Sequence, residues 1–201
     1  MIKVGITGGI GSGKSIICQV FSALGALVFN ADEAARFLME YDPQLIGAIK
    51  KLLGDSVYIN DKLDRGKISS IVFNDPSKLK AFNALVHPAT IRYGNEWMNR
   101  QQGPYVLKEA AIIFETGANT GLDFIIGVFA PMELRIKRVM ARSGHSREKV
   151  VSIIANQMDE TEKMKLCDII IVNDDAKAVL PQVIAAHEQL LRMSGKEMNI
   201  K

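Results

Sequence analysis

The stretch GGIGSGKS at residues 8–15 decides the fold, and it follows the apolar run IKVGI at residues 2–6. It fits the template G-x-x-x-x-G-K-[ST] at every fixed position. Ile17, Val20 and Leu24 recur at helical spacing, which predicts a helix over 14–24 after a short buried strand. In that context the backbone N–H groups of the loop and of the helix start point at negative charge. The stretch therefore predicts a triphosphate site, which an ordinary glycine-rich turn would not require.

Two side chains of this loop have defined expected roles. Lys14 is expected to reach the β and γ phosphates, and the Ser15 hydroxyl is expected to bind Mg²⁺. The remaining predicted nucleotide contacts are Gly9, Gly11, Ser12 and Gly13 in the loop and Ile16 directly after it. A phosphate loop alone does not distinguish a kinase from a GTPase or a motor ATPase. A GTPase would usually carry Asn-Lys-x-Asp on a late strand, whereas residues 171–175 read IVNDD.

Composition indicates one globular domain of 201 residues with 48% hydrophobic content and a formal net charge of +3. That charge is too small to favour nucleic acid or a membrane surface as a partner. Cys18 and Cys167 are the two cysteines, and each lies in an apolar neighbourhood, which favours free thiols in a reducing compartment. With no leader-like segment before the loop and no apolar run of membrane length, we expect a cytoplasmic protein.

Buried strands alternate with helices along the chain. Short apolar runs predict further strands at 26–29, 105–107, 124–129 and 169–172, and helices are expected at about 131–142, 146–157 and 176–192. This order predicts an α/β three-layer P-loop NTPase fold with a mainly parallel five-stranded sheet. A polar tail follows Gly195.

Residues 42–100 are mostly helical in pattern and form a predicted inserted helical substrate lobe. Breaks are expected near Asp42-Pro43, Gly54-Asp55, residues 74–76 and His87-Pro88. We therefore predict a single domain over 1–201, with a nucleotide-binding core at about 1–40 and 104–201 and a helical lid at about 131–165.

Phosphoryl transfer to a hydroxyl needs a carboxylate near the acceptor oxygen and cations around the transferring group. Asp32, at the end of the second predicted strand, is the best candidate carboxylate, although it is also a good N-cap for the helix that follows. Arg135, Arg138 and Arg142 are spaced to share one helical face, which either closes over phosphates as a lid or is a solvated basic face. His87 taken alone is more typical of a structural histidine.

Several motifs together resemble those of the dephospho-coenzyme A kinase family over nearly the whole chain. They are TGGIGSGKS at 7–15, Ala31-Asp32 with Arg36, LVHP at 85–88, IIFE at 112–115, Arg138 with Arg142, ANQ at 155–157 and CDIIIVND at 167–174. The phosphate loop is specific only to the superfamily. The joint order and spacing of the other motifs make the resemblance specific.

The resemblance implies transfer of the ATP γ-phosphoryl group to the ribose 3′-hydroxyl of 3′-dephospho-coenzyme A, with Mg²⁺ and as the last step of coenzyme A synthesis. Asp32 would then lie near the 3′-hydroxyl, Lys14 and Ser15 would hold phosphates and Mg²⁺, and Arg138 would stabilise the transferring group. Residues implied on the acceptor side are Arg36, His87 and Glu115. Arg142 and Asn173 would complete the ATP site. We expect a monomer or small homo-oligomer that has no nucleic-acid or membrane partner.

The chain departs from the family pattern at three positions. Asn30 replaces the first Asp of Asp-Ala-Asp, Ile16 replaces a frequent Thr, and Ala111 replaces a Pro. Glu109, two residues before Ala111, is a further candidate for a water-mediated Mg²⁺ contact. Two other readings stay open at this point: another small metabolite kinase, acting on a nucleoside monophosphate or a sugar acid, and a non-catalytic ATP-dependent switch.

Overall fold

The structure is a computed structural model that describes residues 1–195, apart from the side chain of Phe73. The predicted polar tail after Gly195 lies outside the described residues. The described chain divides into two compact units, one formed by residues 1–29 and 100–195 and the other by residues 30–99. We call them the nucleotide unit and the helical unit.

The secondary structure elements are numbered in chain order. The strands are β1 (Ile2–Thr7), β2 (Leu27–Asn30), β3 (Tyr58–Ile59), β4 (Lys62–Leu63), β5 (Tyr105–Glu109), β6 (Phe124–Phe129) and β7 (Ile169–Val172). The α-helices are α1 (Lys14–Ala23), α2 (Ala31–Tyr41), α3 (Pro43–Leu53), α4 (Arg65–Phe73), α5 (Pro76–Arg100), α6 (Met132–Ser143), α7 (Arg147–Ala155), α8 (Glu160–Lys165) and α9 (Val179–Met193). Residues Asp55–Val57 form a 3₁₀ turn.

Five strands form one sheet in the order β2-β5-β1-β6-β7. The pairs β1·β5, β1·β6 and β6·β7 are parallel, with Ile6 opposite both Glu109 and Ile126. Val4, Ile6 and Leu107 are fully buried in the core that the sheet shares with α1 and α9. The predicted three-layer α/β fold with a mainly parallel sheet is thus confirmed. Because carboxyl ends of parallel strands share one edge, the loops after β1, β5 and β7 meet there.

The helical unit has its own apolar core, formed by residues that include Leu45, Ile49, Val57 and Val86. The region is mostly helical, as expected, but it also contains an element that was not predicted. β3 and β4 form an antiparallel hairpin whose turn residues Asn60 and Asp61 have φ of 49° and 60°. Asn and Asp tolerate that left-handed backbone better than most residues, so the two-residue turn is favoured.

The expected break at His87-Pro88 is wrong, because α5 is one continuous helix of 25 residues with Pro88 inside it. Proline removes one helical N–H donor but does not force a chain reversal when tertiary packing holds both halves. Val86, Ala89 and Thr90, which flank it, are buried.

The N-cap of α2 is Asn30, and not Asp32 as its position suggested. The Asn30 Oδ1 accepts hydrogen bonds from the N–H groups of Asp32 and Glu33, at 3.0 and 3.1 Å. Asp32 lies in the first turn, where its negative charge favours the helix through the dipole. Its carboxylate is therefore not used as the cap.

The predicted helices of the nucleotide unit are present, with one addition. The region expected to be a single helix over 146–157 is α7, and α8 follows after a short linker. We refer to residues 156–159 as the α7–α8 linker. Within residues 1–195, no helix combines the length and apolar character that a membrane crossing needs.

Candidate active site

The phosphate loop, residues 8–15, runs from β1 directly into α1. Gly13 is the N-cap of α1 and has φ of 96°, a left-handed conformation that glycine adopts without steric cost. A Cβ at Gly13 would also lie 2.2 Å from Nδ2 of Asn173, so a side chain is excluded there. Asn173 Nδ2 donates to the Ser12 carbonyl at 2.8 Å, which fixes the loop to the end of β7.

Lys14 folds back over the loop. Its Nζ donates to the carbonyls of Gly8 and Gly9 at 2.7 and 3.2 Å. These bonds hold the ammonium at the mouth of the loop, where a phosphate bound to the loop would meet it.

Six N–H groups of the loop fall into two sets. Those of Gly9 and Ile10 donate to Glu160 and Gln157 respectively, and that of Ser12 donates to the Gly9 carbonyl. Those of Gly11, Gly13 and Ser15 donate to no acceptor within residues 1–195. The Ser12 hydroxyl is buried and likewise has no hydrogen-bond partner in that range. A group of unsatisfied donors around one loop is the arrangement that phosphate oxygens complete.

Glu109 lies against the loop at the carboxyl end of β5. Its Oε1 accepts a hydrogen bond from the Ser15 hydroxyl at 2.9 Å. Burial raises the pKa of the neighbouring Cys18 thiol, and the Glu109 carboxylate raises it further. Cys18 is therefore a protonated, unreactive thiol. The Ser15 hydroxyl and the Glu109 carboxylate are adjacent oxygen ligands of the type that Mg²⁺ prefers.

No group of three or more His, Cys, Asp or Glu side chains within residues 1–195 is placed to hold a metal by itself. Protein sites for Mg²⁺ in phosphate chemistry commonly use only one or two side chains and complete the shell with phosphate oxygens and water. The pair Ser15 and Glu109 fits that requirement.

Arg138 of α6 is hydrogen bonded to the loop that follows β7. Its Nη1 donates to the Asn173 carbonyl at 3.1 Å, and its Nη2 donates to Asn173 Oδ1 at 3.2 Å and to Asp175. Arg138 is thus linked through Asn173 to the phosphate loop. Arg142 lies one turn later on α6 and is exposed, as is Ile16 after the loop.

The three arginines of α6 do not share one exposed face, so that expectation is wrong for Arg135. Arg135 is buried, and its Nη1 pairs with Glu160 Oε2 at 3.1 Å. Ile136 and Val139 on the same helix are also buried, and they pack with Val150 of α7. Arg135 is adjacent to Ile136 in the helix and lies near the boundary between the two faces. Spacing alone therefore could not show whether Arg135 is on the buried face or on the exposed one.

The predicted acceptor-side residues are divided between the two units. Asp32 and Arg36 are both exposed and lie one turn apart on α2 of the helical unit. His87 lies on α5 of the same unit and is half-buried, which lowers its pKa. Its imidazole is accordingly neutral at pH 7.

Glu115 lies in the nucleotide unit, in the turn-rich segment between β5 and β6. Its Oε1 pairs with Lys163 Nζ at 2.8 Å and accepts the Met158 N–H at 2.9 Å. Burial would raise the pKa of this carboxyl, but the hydrogen bonds from Lys163 and Met158 outweigh that effect and lower it. Lys163 is fully buried and also donates to the Ala111 carbonyl at 2.8 Å. Glu115 therefore connects this segment to α8.

A dephospho-CoA kinase (CoaE) family model matches residues 2–178, which include the phosphate loop, Glu109, Glu115 and the whole helical unit. The chain belongs to this family. A dephospho-CoA kinase from Chlorobaculum tepidum is 39% identical over 94% of this chain and 95% of its own length. The crystal structure of a Thermus thermophilus protein is 35% identical, with a TM-score of 0.80 over 96% of this chain and 97% of that one. A solved dephospho-CoA kinase from Campylobacter jejuni is 25% identical, with a TM-score of 0.71 over 95% and 98% of the two chains.

The contacts of four residues in the nucleotide unit were not predicted from the sequence. These residues are Arg135, Gln157, Glu160 and Lys163. Gln157 was recognised only as a family motif, and its contact with the Ile10 N–H is new. Glu160 and Lys163 carry no local signal, because a charged residue at the start or middle of a short helix is ordinary. Their roles arise from long-range pairing.

Proposed function

We propose that this protein transfers the γ-phosphoryl group of ATP to the ribose 3′-hydroxyl of 3′-dephospho-coenzyme A, giving coenzyme A and ADP as the final step of coenzyme A biosynthesis. The observation that carries this proposal is the family match over residues 2–178, which includes the elements of the donor site and the separate helical unit. A simple ATP-dependent switch would not need that second unit.

On the donor side, Lys14 and the N–H groups of Gly11, Gly13 and Ser15 bind the phosphates of ATP. Ser15 and Glu109 would hold Mg²⁺, which neutralises charge on the β and γ phosphates. Asn173 fixes the loop from the side of β7. Arg138, which is hydrogen bonded to Asn173, would stabilise charge on the transferring group. Gly9, Ser12, Ile16 and Arg142 complete the proposed ATP site.

On the acceptor side, Asp32 accepts the proton of the 3′-hydroxyl as the oxygen attacks the γ-phosphorus. The Asp32 carboxylate does not cap α2, because Asn30 is the N-cap. Arg36, one turn further along α2, binds an anionic group of the acceptor. His87 contributes a neutral imidazole, whose two ring nitrogens offer one hydrogen-bond donor and one acceptor to the substrate.

We place Glu115 on the acceptor side as well, with a narrower role than its motif implied. Oε1 is already engaged by Lys163 and by Met158, so only Oε2 is left for a substrate hydroxyl or amine. Both Cys18 and Cys167 are free thiols, which accords with a reducing cytoplasm as the place of action.

The test is ADP release from ATP and Mg²⁺ in the presence of different acceptors. Dephospho-CoA should stimulate turnover strongly, whereas AMP, shikimate, gluconate and no acceptor should not. The product should be heavier than dephospho-CoA by one phosphoryl group, and that group should be on the nucleotide ribose. Equal ADP release with every acceptor would refute the kinase assignment, and stimulation by AMP or a sugar acid instead would change the acceptor.

A further inference from the structure

The Glu160 carboxylate lies against the phosphate loop although it belongs to α8, about 150 residues further along the chain. Its Oε1 and Oε2 accept the Gly9 N–H at 3.3 and 3.1 Å, and its Oε2 accepts Arg135 Nη1 at 3.1 Å. The side chains are 5% exposed for Arg135 and 10% exposed for Glu160. A charged side chain buried to that extent needs an oppositely charged, hydrogen-bonded partner.

The next residue of the loop is held by the same region of the chain. The Ile10 N–H donates to Gln157 Oε1 at 3.0 Å, and the Ile10 side chain packs on Ile136, Val139 and Val150. Two successive peptide groups of the loop are therefore oriented by the α7–α8 linker and the start of α8.

Arg135 also occupies the space beside Gly9. A Cβ at Gly9 would lie 1.7 Å from Arg135 Nη1 and 2.6 Å from Glu160 Oε2. The Arg135 Nε is buried without a hydrogen-bond partner among the described residues.

We propose that Arg135 and Glu160 are a positioning pair for the phosphate loop, in which Arg135 orients Glu160 and Glu160 holds the Gly9 N–H. With the Gly9 and Ile10 peptides turned toward Glu160 and Gln157, the loop presents its other N–H groups, those of Gly11, Gly13 and Ser15, to phosphate. The pair acts through the loop and does not touch substrate. This role rests on the proposed function, since it concerns the ATP site of the kinase.

The decisive measurement is the Kd for ATP with Mg²⁺ in the absence of any acceptor, by calorimetry. Glu160→Gln leaves Arg135 buried without a counter-charge, so we expect the Kd to rise by about tenfold, the loss of roughly one charged hydrogen bond. The KM for ATP should rise in parallel, while the KM for dephospho-CoA stays within about twofold. A merely structural role would lower thermal stability and the active fraction but leave the Kd of the folded protein unchanged.

The double variant Arg135→Gln/Glu160→Gln supplies the rescue. Its two amides can hydrogen bond to each other and to Gly9 without a lone buried charge, so its Kd should be closer to wild type than that of either single variant. Glu133→Gln is the matched control, because Glu133 is exposed on the same helix as Arg135 and pairs with Arg147 of α7. It should leave the Kd unchanged.

An unchanged Kd in folded Glu160→Gln, or a double variant whose loss is the product of the two single losses, would overturn the proposal. If a single variant does not fold, Arg135→Lys takes its place, since it keeps the charge and loses the planar fork. We expect a Kd about threefold higher or more, and an unchanged value overturns the pair. A wild type that binds ATP but phosphorylates no dephospho-CoA refutes the proposed function and leaves this test intact, whereas one that binds no ATP refutes both.

Discussion

Asp32 and Asn30 lie two residues apart and have separate tasks, which makes the proposed base testable. Asp32→Asn removes the carboxylate without removing the cap of α2. We expect kcat to fall by about 10²-fold or more, the range for a positioned general base, because the acceptor hydroxyl no longer has a proton acceptor. The measurement is kcat at saturating ATP and dephospho-CoA.

Glu33→Gln is the matched control for Asp32→Asn. Glu33 is an exposed acid in the same first turn of α2, so both variants lose the same favourable interaction with the helix dipole. Their melting temperatures should shift alike, and only Asp32→Asn should lose turnover. If both variants keep wild-type kcat, Asp32 is simply a helix-stabilising acid.

The Lys14 ammonium donates to carbonyls of its own loop, and Lys14 is not among the residues of the apolar core. We expect Lys14→Ala to remove most of the activity and to change the melting temperature by only a few degrees. Turnover with dephospho-CoA and a thermal melt without ATP measure the two effects separately. A variant that does not fold would show that the loop depends on the ammonium for its conformation.

Helix α8 and the segment between β5 and β6 are connected by Glu115 and Lys163, and this connection should depend on pH. The Glu115 pKa lies below its ordinary value of 4.5, so the ionised form stabilises the fold. That stabilisation is complete above the unfolded-state pKa and is lost as pH falls through the folded-state pKa. The difference in unfolding free energy between wild type and Glu115→Gln should therefore be constant near pH 7 and shrink below pH 4.5.

Urea unfolding between pH 7 and pH 3 measures that difference. Glu133→Gln serves as the comparison, since its ion pair with Arg147 is exposed and should contribute little at any pH. A Glu115→Gln difference that stays constant down to pH 3 would mean that folding does not lower the Glu115 pKa.

Sequence patterns predicted the elements that carry strong local signals. The five strands of the sheet are apolar runs, and the phosphate loop has fixed residue types at fixed spacing, so both were recognised. The β3–β4 hairpin was missed because its strands have two residues each, too few for alternation to appear. The break at Pro88 was predicted wrongly because proline weakens a helix locally, while the buried residues beside it hold α5 together.

The site shows the same division between local and long-range information. Lys14, Ser15 and Glu109 were predicted, and the structure brings Ser15 and Glu109 together at 2.9 Å. The burial of Arg135 could not be predicted, because it depends on Glu160, which lies 25 residues away. No pattern within one helix contains that information.

At the level of the whole molecule, the proposed ATP-binding residues lie in the nucleotide unit, whereas the proposed acceptor residues Asp32, Arg36 and His87 lie in the helical unit. We therefore expect each ligand to protect mainly a different unit. ATP with Mg²⁺ should slow amide hydrogen exchange in a peptide covering residues 8–15, since it engages the N–H groups of Gly11, Gly13 and Ser15. Dephospho-CoA alone should slow exchange in peptides from α2 and α5. Peptides from α9 are the control and should be unchanged. Protection of the phosphate loop by dephospho-CoA, with none in the helical unit, would contradict the assignment of sides.

The position of β1 at the centre of the sheet has a consequence for synthesis on the ribosome. β1 pairs with β5 and β6, and Ile2 lies opposite Tyr105, so its partners are made about a hundred residues later. At about 5–20 residues per second, the strand waits on the order of 5–20 s before β5 emerges. Residues 30–99 form a unit with its own core and can become compact during that interval. We expect the nascent chain to complete its helical unit first, and the ATP-binding loop to be assembled only after β7 and Asn173 have been synthesised.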